Sequence, residues 1–533
     1  MNRGEGAPMA GRPAKAWVEK IYLELPPPRI GANQADVDRL IASLTAQTGY
    51  KNLHAPYRLW KKIPSILRKD NFRITATLVS QRDMVELADV QSGNTEGQLA
   101  GVAVDLGTTT ILISLLDLRS GEILEEITIK NPQAAHGADV LSRIHYAGAA
   151  GGLETLQKLV MEALNEAIGG LLRKRSLKPE EIFAAAVAGN TIMTHLFLGL
   201  DPQHIRREPY IPVVNKPDFV RARELGLTLN ENAPVFVFPN VGSYFGGDLV
   251  AGILSSGLYK QPEPSILVDI GTNAEVVLGN RDWLLACAGA AGPALEGGVA
   301  RMGAQAAQGV IDHISIDERT LAARYTVIGG GKPVAMCGSA IIDLTAELFL
   351  RGIIDTQGKF APDRGAPLAD TEDGPAYVVA SGAETEHGED ISLSQIDLDV
   401  LLRSKAAMYT ILQTITEEVG VSFQDLKRFY VAGTFGTYID PRKAVILGMT
   451  PDLPLETYQP LGNSSAQGAR MILLDRGLLE DVDRIRDMLT YMELNVNQKF
   501  MNLFSAARFI PHTERALFPS VKTDAELEAG ARE

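Results

Sequence analysis

The sequence predicts an α/β protein with an internal duplication, preceded by a small α+β domain. Two observations point to the duplication. AVDLGTTTILI (Ala103 to Ile113) and LVDIGTNAEVV (Leu267 to Val277) align without a gap, with Asp105 and Asp269 164 positions apart. From Leu99 onward, short apolar runs alternate with long segments of helical period, the pattern of strands joined by helices. The third observation concerns the leading segment. VEKIYLEL (Val18 to Leu25) alternates as a strand does and is stopped by Pro26, Pro27 and Pro28. DVDRLIASLTAQTG then puts Val37, Leu40, Ile41 and Leu44 on one helical face, with Asp36 as N-cap or first-turn acid, and FRITATLV (Phe72 to Val79) returns to strand period.

These patterns divide the chain into a linker remnant (1–16), a small α+β domain (17–95) and two larger halves (99–265 and 266–533). The second half includes a C-terminal return segment. VQSGNTEGQ, just before Leu99, has the composition of a linker. LETLQKLVMEALNEAIGGLL and DVLLRSKAAMYTILQTITEEVG are long helices, and the second leads into a buried strand, FYVAG (Phe429 to Gly433). Residues 356–395, rich in Gly, Asp, Pro and Glu, predict a surface excursion with one short strand at YVVAS. The charge run DVDRIRDM (Asp481 to Met488) predicts a solvated linker to a final strand, YMELNV.

At 533 residues the chain is long enough for about three domains at roughly 100–200 residues each. Its 65 acidic and 51 basic residues leave a net charge of −14, which repels phosphate backbones and anionic membranes and argues against both as partners. The N-terminal stretch has basic residues but no apolar core of a secretory signal, and no run of 18 apolar residues occurs, so a cytoplasmic location is expected. Only Cys287 and Cys337 are present, which excludes a disulfide framework and any four-cysteine zinc or iron-sulfur site within these residues.

Each copy of the repeat is an apolar strand that ends in an aspartate and turns through glycine, with Thr or Asn before a second strand. Gly107 and Gly271 let backbone approach a phosphate without a Cβ in the way. Exposed N–H groups of such a turn form an anion-binding concavity. Thr108, Thr109 and Thr110 add hydroxyl donors in the first copy, and Thr272 and Asn273 add polar side chains in the second. Asp105 and Asp269 are expected at equivalent strand ends facing one cleft, as oxygen ligands for Mg²⁺ directly or through its waters. We assign Asp105 to the metal and Asp269 to the attacking water of ATP hydrolysis. A single Asp-x-Gly-Thr turn is as readily a plain hairpin; two in register favour phosphate loops. VAGTFGTYID (Val431 to Asp440) adds a buried strand, a glycine turn at Gly433 and Gly436, and a helix, a setting in which backbone approaches a nucleotide.

The order of these elements resembles the phosphate-1, connect-1, phosphate-2, adenosine and connect-2 series of the actin/sugar-kinase/heat-shock-chaperone ATPases. That resemblance implies two ribonuclease H-like halves around a nucleotide cleft. Connect-1 would be Val187 to Pro202, with Asn190 among the nucleotide-binding residues, and connect-2 would be Gly462 to Leu474. Within the superfamily the chain is more similar to the reductive activators of corrinoid proteins, through LELPPP, GNTIMTHLFLGLDP, IRREPYIP, VDIGTNAE, AAGPALEGG, CGSAIIDL, AGTFGTYIDP and FIPHTERALFPSV. The resemblance implies ATP-coupled, one-electron reduction of cobalt(II) to cobalt(I) in a partner corrinoid protein, serving methyl transfer. It also implies a homodimer through the small domain. Two departures from the pattern stand out. The ferredoxin-like iron-sulfur domain usual in these activators is missing, so the electron is expected from a separate ferredoxin or flavoprotein. Thr434 also stands where a second glycine is usual in the adenosine motif.

Other candidates carry less. Cys337, ahead of an apparent helix, is a reactive thiol or, more simply, a small buried residue. His195 and His204 lack metal-ligand spacing and read as core or surface histidines. Glu296 and Arg301 either line the nucleotide cleft or start a helix, and Tyr438, Asp440 and Pro441 shape a helix entry. Two other functions fit the same loops: a small-molecule kinase, which needs a base and hydroxyl-recognising groups for its acceptor, and a chaperone-like ATPase without a redox role.

Overall fold

The computed structural model describes residues 16–31, 33–82, 84–243, 245–271, 274–289, 300–362, 365–494 and 499–530. The chain forms two compact units, one of residues up to Ser255 together with Ser465–Asp487, the other of Ser256–Ser464 together with Met488 onward. No helix among the described residues is long and apolar enough to cross a membrane.

In the first unit a four-stranded sheet is built from β1 (Val18–Glu24), β2 (Leu53–His54), β3 (Arg73–Gln81) and β4 (Met84–Ser92), in the order β1-β3-β4-β2. The helix Asp36–Thr48 buries Leu40 and Leu44 in the core of this small domain, capped at Ala35, with Asp36 in its first turn. The strand β4 takes up Val90 to Ser92, so the polar linker expected to begin at Val90 is shorter. The misreading came from the Gln, Ser and Asn that follow Val90, whose polarity hid a strand paired along β3.

The same unit holds a six-stranded sheet in the order β7-β6-β5-β8-β10-β9. Its strands are β5 (Ala100–Leu106), β6 (Thr110–Asp117), β7 (Ile123–Lys130), β8 (Ile182–Gly189), β9 (Asp218–Arg221) and β10 (Pro234–Val237). β5, β6 and β7 form an antiparallel meander, β8 joins β5 in parallel, and β10 joins β8 in parallel. β5 is buried at every residue except Asp105, and β8 is buried throughout, as expected of central strands covered on both faces. The helix Gly152–Arg175 lays Leu156, Val160, Leu164, Ile168 and Leu171 into this core. Each such side chain contributes roughly 1.5–3 kcal/mol by leaving water.

The second unit repeats the plan. β11 (Ser265–Ile270), β12 (Ala274–Gly279) and β13 (Leu284–Gly289) form the meander. After three shorter strands, β14 (Val310–Ile316), β15 (Ala323–Val327) and β16 (Ala335–Met336), come β17 (Leu368–Thr371), β18 (Gly374–Ala380) and β19 (Ile391–Ser394). β20 (Arg428–Ala432) then pairs in parallel with β11, and β21 (Tyr458–Gly462) with β20. With β22 (Leu489–Tyr491) beside β13, the order is β21-β20-β11-β12-β13-β22. With the edge strands β9 and β22 left out and numbering from each meander's first strand, both sheets carry the order 3-2-1-4-5, so the duplication extends to topology.

Two expectations are corrected, one in this unit and one in the segment Ser465–Asp487 that returns to the first unit. The stretch 356–395 is not a surface excursion with one strand: β17, β18 and β19 form an antiparallel sheet, and Tyr377, Ile391 and Leu393 lie in the main core. Its Gly- and Asp-rich turns masked the alternation. DVDRIRDM is no linker but the end of the helix Leu478–Met488, which buries Leu478, Leu479, Val482 and Ile485 at helical spacing. Arg82 donates to Asp218 at 2.7 Å and to Asp483 at 2.8 Å, and Lys216 pairs with Asp483 at 2.7 Å, which ties this helix to the small domain within the first unit. The chain leaves the first unit at the end of the helix Gly247–Ser256 and re-enters it at Ser465. Of the two expected connecting stretches, Gly462 to Leu474 therefore spans a passage, whereas Val187 to Pro202 lies wholly inside the first unit.

Glycine is demanded most strongly at Gly448, which ends the helix Pro441–Leu447 at φ 71°. A Cβ there would stand 1.9 Å from the Pro511 carbonyl oxygen. Gly420 has φ 66° but open space around it. Gly420→Ala is expected to cost about 1–2 kcal/mol, the left-handed strain alone, and Gly448→Ala about 1–3 kcal/mol more from overpacking. Chemical denaturation of both variants checks this; equal losses would contradict the seating of the 507–521 segment against Gly448.

Candidate functional site

The first loop is set by capture of its backbone. β5 delivers Asp105 to the sheet end, where the side chain is half-buried and one carboxylate oxygen accepts the Ser465 hydroxyl at 2.7 Å. Gly107 makes the turn: a Cβ there would lie 2.5 Å from the Thr110 carbonyl oxygen. Three successive carbonyls are then held. Asn131 donates its side-chain amide to Gly107 at 2.9 Å, Arg143 donates to Thr108 at 2.6 Å, and the Asn131 backbone N–H donates to Thr109 at 2.8 Å. Thr109 and Thr110 are exposed.

Asn190 has two tasks. Its side-chain oxygen accepts from the Met193 N–H at 2.9 Å, capping the helix Thr191–Leu198, and its amide donates to Thr108 Oγ1 at 3.0 Å. Gly246, just before the helix Gly247–Ser256, permits this arrangement, since a Cβ on it would come 2.2 Å from the Asn190 Cα. Asp105, Gly107, Thr108, Thr109, Thr110 and Asn190 are thus gathered at one corner of the first unit.

The second loop has the same frame. β11 carries Asp269, again half-buried at the penultimate position of an otherwise buried strand, and Gly271 follows the last strand residue, Ile270. Thr272 and Asn273 lie outside the described residues, as do Glu296 and the AAGPALEGG stretch and the side chain of Thr434. Gly433, at φ 85°, follows β20, and a Cβ there would stand 2.8 Å from the Ile270 carbonyl oxygen and 3.0 Å from Asp269 Oδ1. Gly436 is buried in the helix Gly433–Tyr438, where a Cβ would meet Val431 at 2.7 Å. Its place is that of helix-on-strand packing.

The two frames match at a further position. Gly189, which ends β8 beside Leu106, would place a Cβ 2.8 Å from the Leu106 carbonyl oxygen, as Gly433 does with Ile270. Val187-Ala188-Gly189 and Val431-Ala432-Gly433 are the same tripeptide, a second repeat in the sequence that marks these glycines as equivalent. Asn131, Arg143, Ser465 and Gly246 carry no comparable sequence signal. Their roles depend on contacts between segments far apart in the chain.

The oxygen-rich character of both strand ends suits a hard cation. Among the described residues no group of three or more His, Cys, Asp or Glu side chains can hold a metal. Mg²⁺, which keeps waters and binds through one or two carboxylates plus substrate phosphates, fits that donor set.

Comparison with known proteins fixes the family. Models of the RACo family match in chain order: the linker region over residues 12–97, the middle region over 100–261, and the C-terminal ASKHA domain over 263–522. The corrinoid activation enzyme RamQ of Eubacterium limosum is 30% identical over 462 residues, 84% of this chain and 76% of the relative. The chain belongs to the RACo family. A further relative, the [Co(II) methylated amine-specific corrinoid protein] reductase of Methanosarcina barkeri, is 25% identical over 436 residues, 76% of each chain. Among solved structures, a reductive activator for corrinoid, iron-sulfur protein superposes with a TM-score of 0.88 at 39% identity, covering 96% of this chain and 82% of that one. The duplicated α/β fold is that of the ASKHA ATPases to which the RACo C-terminal domain belongs.

The remaining candidates fall outside the loops. Cys287 and Cys337 are buried; burial pushes the Cys287 thiol far up, and Cys337 stands at the N-cap position of the helix Gly338–Leu350 without a side-chain capping bond, its sulfur 3.0 Å from Ser339 Oγ. Arg301 donates its backbone N–H to Asp397 at 3.2 Å and lines a cavity of about 300 Å³ with Asp373, Glu389 and Asp390. That cavity shares no residue with either loop. Asp440 caps the helix Pro441–Leu447, as a helix-entry role requires. His204 is exposed.

His195 is a core residue. Its Nε2 accepts the Val213 N–H at 3.0 Å, so Nδ1 carries the proton and donates to Thr191 at 2.7 Å. Burial lowers its pKa, against a smaller opposing effect of the Thr191 carbonyl. A depressed histidine pKa means the unfolded chain binds the proton first. The stability it lends is complete above the unfolded value of about 6.5 and is lost as pH falls through that value toward the lower folded one. His512, lowered by burial and by Lys405, acts in the same direction. His195→Gln is expected to flatten the fall in stability between about pH 7 and pH 5. Urea denaturation across that range measures it, and an unchanged slope would assign the effect elsewhere.

Proposed function

We propose that this protein is an ATP-dependent activator that returns the cobalt of a partner corrinoid protein from the cobalt(II) to the cobalt(I) state. The observation that carries the reading is the likeness to a reductive activator over 96% of the chain. The repeated strand-ending aspartates supply the ATPase side of it. In the first loop, N–H groups and the hydroxyls of Thr108, Thr109 and Thr110 would donate to phosphate oxygens, and Asp105, oriented by Ser465, would hold Mg²⁺ directly or through water. In the second loop, Asp269 orients the attacking water. Bound Mg²⁺ supplies charge neutralisation at the phosphates.

ATP and water give ADP and phosphate, and one electron converts cobalt(II) to cobalt(I). Thermodynamic coupling requires that the activator bind one state of its partner more tightly than the other, and ATP turnover changes that preference. The two buried cysteines of these residues cannot ligate a four-cysteine cluster, so the electron enters from a centre outside them, of the ferredoxin or flavoprotein kind.

The decisive mixture contains this protein, a cobalt(II) corrinoid protein, ATP and a low-potential donor, with cobalt absorbance followed in time. Cobalt(I) should accumulate only when all four are present; no change with any corrinoid partner would remove the reading. Asp105→Ala and Asp269→Ala are each expected to lower ATP turnover by about 10²–10³-fold or more with circular dichroism unchanged. Full turnover in either variant would refute the loop assignment.

A further inference from the structure

Arg143 holds a positive charge beneath the first loop, out of contact with water. It is 0% exposed. Its guanidinium donates to the Thr108 carbonyl at 2.6 Å and the Gly137 carbonyl at 2.9 Å, with Gln133 Oε1 at 3.5 Å and the Met193 sulfur at 3.2 Å. None of these partners is an anion. Asp139, the acid that acts on it electrostatically, is engaged as N-cap of the helix Val140–Ala147 and accepts from Ser142. Burial lowers the Arg143 pKa to about 10, which leaves it a cation at neutral pH. A buried charge without a counter-ion is costly unless something else completes it.

The loop geometry shows what would complete it. In a trans peptide C=O and N–H point in opposite directions. Asn131 and Arg143 draw the carbonyls of Gly107 and Thr108 inward, so the N–H groups of Thr108 and Thr109 face outward. Oxygens that would repel an anion are turned away from the loop's outer side, and donors that attract one are turned toward it. We infer that Arg143 and Asn131 form a bracket that makes the first loop an anion receptor, and that the Arg143 charge is neutralised, through the captured peptides, by the phosphates of the bound nucleotide. Arg143 is a positioning residue, since it reaches the ligand only through Thr108. The inference rests on the nucleotide reading of the loop.

Its signature is a dependence on phosphate number. Affinities for Mg²⁺-ATP, ADP and adenosine are to be measured by calorimetry on the full-length protein, on Arg143→Lys and on Arg143→Met, with the unliganded unfolding midpoint of each as a check on folding. Arg143→Met should weaken ATP by about tenfold or more, ADP by less, and adenosine by less than about twofold. Arg143→Lys, which keeps the charge and loses the fork, should fall between the parent and Arg143→Met for ATP. Equal losses for ATP and adenosine in either variant, or no loss of ATP affinity, would overturn the inference; if Arg143→Met does not fold, the same ratio in Arg143→Lys decides. Absence of ATP binding by the unsubstituted protein is a separate outcome, because it defeats the nucleotide reading itself.

Discussion

The contact on which both halves depend is a backbone crossing without room for a side chain. In each half the peptide carbonyl after the aspartate near the strand end lies 2.8 Å from where a Cβ would sit on the glycine that ends or directly follows the neighbouring parallel strand. Gly189 against Leu106 and Gly433 against Ile270 are the two instances. Any larger residue would force the strands apart at the point where Asp105 and Asp269 leave the sheet. The aspartate is held at the rim because its strand is buried up to it, and the neighbouring chain turns into a helix because the glycine lets it pass.

Much of this frame was legible in the sequence, for a physical reason. A strand buried on both faces must be apolar, so Asp105 and Asp269 stand out as breaks in such runs, and the glycine after each marks a turn. The Val-Ala-Gly repeat was equally open to inspection. The supports of the site were not. Ser465 reaches Asp105 across 360 positions and Asn131 reaches Gly107 across 24, and no local period encodes such pairs. Polar surface chemistry also misled. The charges of Asp481 to Met488 concealed a helix whose apolar face is Leu478, Leu479, Val482 and Ile485, and the glycines of 356–395 concealed a sheet that reaches the core.

Buried basic side chains recur where distant segments must be fixed. Arg143 secures the first loop. Lys405, fully enclosed in the helix Gln395–Glu418, donates to the carbonyls of Phe509 at 2.5 Å and Pro511 at 2.8 Å, and burial lowers its pKa well below that of a free lysine. Backbone carbonyls are partners that apolar packing cannot supply, and each fixes one register of the chain. The C-terminal segment of the second unit is thereby located by hydrogen bonds as well as by the burial of Ile510, Phe518 and Val521.

The return segment places a demand on biosynthesis. Ser465–Asp487 completes a unit whose other residues end at Ser255. It brings Ser465 to Asp105, Gly468 against Ala251, Arg470 to Ser114 and Glu126, and Asp483 to Arg82 and Lys216. A ribosome adding roughly 5–20 residues per second takes roughly 10–40 s to go from the first of these boundaries to the next. Through that interval the nascent first unit carries an unfilled groove beside Ala251 and a carboxylate without its serine, and its last piece arrives only after most of its sister unit has been made.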